Sequence, residues 1–383
     1  MSLSESFPHR RLRSLNNSQN IQRTSITSTR LSIQKQTPQN APQISRSKRS
    51  TPWTGKRLAP FQKTPASRNL RTPRNIVSSK PRKKRGRLSH DLPLRHFELL
   101  NKTWRLYRVS PMFKFKTECM KLRHYSVHLA SHIKAEVAKG LAVDAQVETA
   151  DAAQFSLFSG LKIQPDESEA VEITLKQKPS RGSGEKEPRV VLTAILCCVG
   201  APSEDLRKVH SDFTQLPLML VKGPVTLTSY LTQFLELQFD CHVSPVVFST
   251  CDLSWMLAMW AGFSSKTGNR KVQLSYSVPA SIQGLDNISM EINSDDCLRM
   301  WKYIHDENDE SFHASEVVCL IKSLEEHFVH HFGINLAAMN LYTVGTASAF
   351  VGAEGKLKVF SVSHLPQVLS HITKLMLEKN LTQ

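Results

Sequence analysis

Apolar side chains are distributed in two regimes along the 383 residues. Up to residue 90 they are isolated among Ser, Thr, Arg, Gln, Asn and Pro, with no period. From residue 91 onward they recur at spacings that predict secondary structure. Leu122, Tyr125, Leu129, Ile133 and Val137 form one stripe of a helix over 116–139, stopped by Gly140. Val317, Leu320, Leu324, Phe328 and Phe332 do the same over 316–332, ended by Gly333, and Leu365, Val368, Leu369, Ile372, Leu375 and Met376 over 365–378. Leu94, Phe97, Leu100 and Trp104 have helical spacing too, and 206–213, 227–239, 253–261 and 295–304 read as helices. Extended segments are expected at 112–115, 141–147, 155–163, 170–178, 190–199, 272–278 and 288–292. The polar loop 179–188 makes a long hairpin of its two neighbours. A second hairpin joins 336–351 to 356–362 through Ala353-Glu354-Gly355, where glycine accepts positive φ. Helices and hairpins in mixed order, without βαβ regularity, indicate an α+β fold with mainly antiparallel sheet.

Charge sharpens the division at residue 90. The first 90 residues hold 21 of the 50 Lys+Arg and one acid, Glu5, whereas the rest hold 29 bases and 32 acids. A segment so basic and so poor in aliphatics cannot offset its chain entropy by burial, so 1–90 is expected to be a disordered basic tail and 91–383 the folded domain. The tail is an electrostatic handle for nucleic acid or an acidic protein surface. It carries Thr-Pro steps at Thr37, Thr51, Thr64 and Thr72, which suit a proline-directed kinase. It ends in Lys80, Arg82, Lys83, Lys84, Arg85 and Arg87, a nuclear-import or phosphate-binding run. Charge is uneven in the body as well: 95–139 has ten bases to three acids, and 294–326 has nine acids to three bases. Arg105, Arg108, Lys114 and Lys116 are the candidate phosphate contacts.

The longest apolar run, 190–199, is half of what a membrane-spanning helix needs, about 20 residues. The first residues lack the apolar core of a secretory signal. Seven cysteines without framework spacing fit reduced thiols of the cytosol or nucleus.

Catalytic motifs are not found. The glycine-containing loop before Lys356 has Phe350 where a P-loop needs its first glycine and Leu357 where it needs Ser or Thr. His124, His128 and His132 repeat at four-residue spacing, yet no Cys or acid at ligand spacing completes a metal site. His327, His330 and His331 close a helix, where histidine can satisfy open carbonyls. Trp255, Met256, Met259 and Trp260 are either core or a partner anchor.

Six pieces, in order, carry a resemblance. They are Trp104-x-Leu106-Tyr107 with Pro111 and Lys114-Phe115; Lys139-Gly140-Leu141-Ala142-Val143; Phe213-x-x-Leu216-Pro217-Leu218; Phe239-Asp240-Cys241-x-x-Ser244-Pro245; Leu253-Ser254-Trp255-Met256-x-Ala258-Met259-Trp260; and His327-Phe328-x-x-His331-Phe332-x-Ile334-x-Leu336. The chain resembles the centromere protein L family, vertebrate relatives of a yeast inner-kinetochore subunit. The resemblance implies a large curved antiparallel sheet and a non-enzymatic role with no cofactor. It implies heterodimer formation with centromere protein N through the C-terminal sheet, and the 334–379 hairpin and helix are expected to bear it. The candidate interface residues there are Leu336, Leu341, Val344, Phe350, Leu357, Val359 and Phe360. It further implies a place in the constitutive centromere-associated network at the kinetochore, with contacts to centromere protein C, the centromere-protein H/I/K/M group and the centromeric nucleosome and its DNA. Nothing of the family is carried onto residues 1–90. The competing expectation is a stand-alone basic nucleic-acid-binding protein acting through its tail.

Overall fold

The computed structural model describes residues 32–34, 95–140, 150–178, 187–207, 209–261, 263, 271–305 and 311–381. In chain order the elements are β1 (Ser32–Gln34), α1 (His96–Leu99), β2 (Trp104–Val109), β3 (Met112–Phe113), α2 (Cys119–Gly140), β4 (Ala152–Phe158), β5 (Ala170–Gln177), β6 (Arg189–Cys197) and α3 (Ser203–Arg207). There follow β7 (Phe213–Thr214), β8 (Leu218–Lys222), α4 (Val225–Phe239), β9 (Val243–Pro245), α5 (Thr250–Ala261), β10 (Lys271–Ser277), β11 (Asn287–Asn293), α6 (Ser294–Ile304) and α7 (Ala314–Phe332). The last are a 3-10 turn (Leu336–Ala338), β12 (Asn340–Gly345), β13 (Ala349–Gly352), β14 (Lys356–Val359) and α8 (Leu365–Leu381).

Twelve strands make one sheet in the order β1-β11-β10-β12-β13-β14-β2-β8-β6-β5-β4, with β9 also on β2; β3 and β7 pair separately. All pairings are antiparallel. The α+β, mainly antiparallel expectation therefore holds, as do the hairpin of β5 with β6 and the turn at Gly355 (φ 69°).

The sheet separates two cores. Helices α5 to α8 cover one face, packing Leu253, Trp260, Trp301, Leu320, Phe328 and Leu369 on Trp104, Leu220, Leu274 and Leu357. Helices α2 and α4 cover the other face, and only over the N-terminal half: Leu129, Ile133, Leu231 and Phe234 meet Ile173, Leu196, Met219 and Val221. The stripe of α2 is buried from Leu122 to Val137 as its period requires. Strands β6 and β8 are apolar on both sides because both sides are covered.

Local chemistry sets the boundaries. The Asn293 side chain accepts from Asp295 N at the start of α6. Glu316 accepts from His313 N (3.0 Å) at the start of α7, and Gly333, at φ 68°, closes it. Asp240 ends α4 in the left-handed region (φ 45°).

Three expectations need correction. The helical spacing through Trp104 yields only the single turn α1, with Trp104 opening a strand and donating from Nε1 to Leu99 O at 3.0 Å. The helix expected at 206–213 ends at Arg207, because Phe213 and Thr214 pair with β3. The segment 336–351 is a 3-10 turn and two strands, folded back at Thr346, whose side chain binds the Ala349 backbone. Within the expected tail, Ser32–Gln34 is a strand on β11. The rest of 1–90 and the strand expected at 141–147 lie outside the described residues.

Candidate chromatin and partner surfaces

Beyond β2 the second face of the sheet has no apolar cover among the described residues. Strand alternation and register define two rows across it. One runs Arg105, Lys356, Gly352, Thr343, Ser275, Ser289; the next runs Lys358, Phe350, Gly345, Gln273, Glu291. The middle of the first row is small and hydroxylated, with Ser275 and Ser289 Oγ atoms 2.8 Å apart. Positive charge gathers at the seam with β2. There Arg105 stands directly opposite Lys356, a cross-strand pairing of like charges that costs stability unless an anion answers it.

One carboxylate does so in part. Glu354 Oε2 lies 2.8 Å from Lys356 Nζ. Its pKa is held below the usual carboxylate range by hydrogen bonds from Lys356 and Tyr342, and then by the charges of Lys356 and Arg105. Lys358 Nζ lies 5.5 Å over the Phe360 ring. With Tyr342 and Phe350 on the same face, cations alternate with aromatic rings, an arrangement suited to the backbone of nucleic acid.

The four expected phosphate contacts do not form one patch. Arg105 is exposed on the uncovered face, whereas Arg108, three residues on, falls on the opposite side of the strand and is half-buried. Lys114 and Lys116 are exposed beyond the other end of β2; Lys114 has φ 52°, donates its N–H to Asp212 O (2.7 Å) and sets Nζ 4.7 Å over Phe113. Sequence reading missed Lys356 and Lys358. The alternation Lys-Leu-Lys-Val at 356–359 signalled them, because it turns both cations to one face.

Of the seven expected partner residues, five lie inside. Leu336, Leu341, Val344, Leu357 and Val359 are buried in the chain's own core, and Phe350 and Phe360 are half-buried. Strands β12 to β14 are interior, paired on both sides, so they have no free edge to lend. Apolarity there marked packing. Among the described residues the sheet's path runs from β1, paired on β11, to β4.

The sequence profile described as Centromere protein L matches residues 98–378. Centromere protein L of Xenopus tropicalis is 36% identical over 284 residues, covering 74% of this chain and 80% of the relative. That of Homo sapiens is 33% identical over 319 residues (82% and 91%), and that of Danio rerio 30% over 287 residues (74% and 77%). The chain belongs to the centromere protein L family. The human match covers more of the chain than residues 91–383 contain, so likeness to centromere protein L runs into the basic segment.

In this centromere protein L chain, Met256 and Trp260 are buried, and Trp255 and Met259 pack against the same core. The Trp260 indole donates to His371 Nδ1 (3.1 Å), which fixes that nitrogen as an acceptor. Burial, and then the charge of Lys374, lower the His371 pKa. His124 and His128 rings lie 4.0 Å apart and His132 lies beside Phe234; no cluster of three metal-ligating side chains occurs among the described residues. His327 and His331 meet at 4.3 Å at the end of α7, and burial with the neighbouring histidines lowers the His327 pKa. The import run and the four Thr-Pro sites lie outside the described residues.

Proposed function

We propose that this centromere protein is a non-enzymatic inner-kinetochore subunit. It pairs with centromere protein N and helps assemble the constitutive centromere-associated network on centromeric chromatin, in contact with centromere protein C and the centromere-protein H/I/K/M group. In this role it serves chromosome segregation from within the nucleus. The observation that carries the reading is the combination of family membership with a broad sheet face left uncovered, polar and positive along the β14–β2 seam. Antiparallel sheets commonly leave one face to water; what supports a partner here is the set of cations and aromatic rings gathered on that face. In this reading, pairing with centromere protein N uses the C-terminal half-sheet; the interior position of β12–β14 supports a contact on the face of that half rather than along those strands.

Light scattering on the full chain with and without centromere protein N tests the pairing. A one-to-one complex is expected; a chain that ignores the partner would overturn it. For chromatin, the triple substitution Arg105→Glu, Lys356→Glu and Lys358→Glu is expected to weaken DNA binding by the pair strongly and to flatten its salt dependence, each lost phosphate contact removing about one unit of slope. Unchanged binding, abolished instead by removing residues 1–90, would transfer the DNA role to the tail, the stand-alone nucleic-acid-binding reading.

A further inference from the structure

Helices α2 and α4 pack against each other over the N-terminal half of the sheet, and between their outer turns lies a cleft of about 490 Å³. Val127, His128 and Ser131 form its α2 wall and Leu237 stands on the α4 side. His132 and Phe234 meet at its floor, with ring centroids 5.8 Å apart. Both rims are apolar and open to solvent: Val127 is 64% exposed and Leu237 74%. Met120, also 74% exposed, stands two turns before Val127 on the same ridge of α2, since seven residues return a helix to one side. Single exposed apolar residues need no explanation, but a group of them ranged along one cleft does.

The charge around the cleft is one-sided. The outer surface of α2 carries Lys121, Arg123 and Lys134, all exposed, while the helix's one acid, Glu136, lies 2.7 Å from Lys139. Helix α4 has a single charged residue, Glu236, whose carboxylate accepts from Val243 N at 2.9 Å. The result is an apolar slot with a cationic wall on one side and a neutral wall on the other. Its floor is chemically unfinished. His132 Nε2 is shut from water and has no hydrogen-bond partner among the described residues, a cost that a turn of the ring toward an arriving carboxylate would relieve.

These features choose among occupants. An extended peptide would need backbone partners, which walls made of helical side chains do not offer. A second copy of the chain would bring its own cations against Lys121 and Arg123. A helix satisfies its own backbone and packs its ridge into the groove between two others. We infer that the α2–α4 cleft docks an acidic amphipathic helix of another protein. Its apolar residues, at i, i+3 or i+4 and i+7, would lie between Val127 and Leu237, with carboxylates turned toward Lys121, Arg123 and Lys134. This inference stands apart from the pairing proposed above, because the cleft belongs to helices over the N-terminal half.

The full chain tests it with a displayed library of helical peptides about five turns long, counter-selected against the double variant Val127→Asp with Leu237→Asp. Counter-selection removes peptides held only by the basic residues 1–90. The enriched peptides are expected to share the apolar spacing and to carry Asp or Glu along one flank. A synthetic copy of the strongest should bind the double variant on the order of a hundredfold more weakly. Arg123→Glu with Lys134→Glu should weaken it about fivefold at low salt, and that difference should vanish at high salt. All four positions are exposed, so melts of the variants should overlay the wild type; if the aspartates fail this, Val127→Ser with Leu237→Ser takes their place. A selection that yields no cleft-dependent peptide overturns the inference, as do enriched peptides that are basic or lack helical spacing. Light scattering that shows self-association abolished by the double variant would make the occupant a second copy. A DNA duplex that competes the peptide from the cleft would make it nucleic acid. Either result overturns the inference as well.

Discussion

The two halves of the sheet are built from different sequence patterns and end in different fates. In the N-terminal half, β6 and β8 are apolar at successive positions, and both faces lie under helices. In the C-terminal half, β10 and β11 alternate strictly, and helices cover only the face of Val272, Leu274, Tyr276, Ile288, Met290 and Ile292. The alternate residues, Gln273, Ser275, Ser289 and Glu291, have nothing apolar to bury. The lesson is that one continuous hydrogen-bonded sheet can divide its labour. One half is a two-sided core, and in the other the described helices cover a single face.

The largest expected effect separates these halves directly. Leu220→Ala, in the doubly covered half, should cost about 2–5 kcal/mol, whereas Ser275→Ala on the open face should stay within about 0.5 kcal/mol. Denaturant melts of both variants check this. A large loss at Ser275 would mean that the open face is structural after all. Next comes the seam. Gly355 has φ 69°, and a Cβ there would lie 2.4 Å from the Val246 carbonyl oxygen, which is fixed backbone. Gly355→Ala should therefore destabilise by about 1–3 kcal/mol through strain, with a clash besides.

A smaller effect is pH-dependent. Burial, and then the charge of Lys374, hold the folded pKa of His371 below the ordinary value of 6.5, and its Nδ1 accepts from Trp260. The unfolded chain then binds the proton more readily. The stability from this group is complete above pH 6.5 and is lost as pH falls from there toward the depressed folded value. Melts of wild type and His371→Gln should converge on acidification over that window; curves that stay parallel would break the assignment. The smallest perturbation is labelling of the native thiols. Burial pushes Cys198 and Cys297 up to about 12, and Cys197 is raised as well, so these three should resist alkylation. The exposed Cys119, Cys251 and Cys319 should react, as peptide mass mapping would show.

Much of the covered half was legible from periodicity. The stripes of α2, α7 and α8 and the β5–β6 hairpin are long, regular and bounded by glycine or polar loops. The two strands that hold the sheet together were not. Strand β2 mixes Arg105 and Arg108 into an apolar run because its two faces serve different environments. Strand β8 is only five residues and has no alternation, since both its faces are buried. The open face was half legible: Arg105 was found by charge, but Lys356 and Lys358 need the register that sets them beside it. Five of the seven expected interface residues lie inside for a plain reason. Apolar character at Leu341 or Leu357 is equally a signal for the inside, and two-sided pairing of their strands decides for the inside.

Helix α8 imposes an order of events. Its Leu365, Val368, Leu369 and Ile372 complete the core on the face shared by both halves. Ser370 Oγ donates to Gly200 O (3.4 Å) across 170 residues of chain. During synthesis the strands of the N-terminal half emerge long before this helix does, and until it arrives they present a bare apolar face. Maturation of the first half thus waits on nearly the last segment described, and the nascent chain needs shelter over that interval. A ribosome-bound intermediate ending before residue 365 should engage a chaperone that the released chain no longer needs.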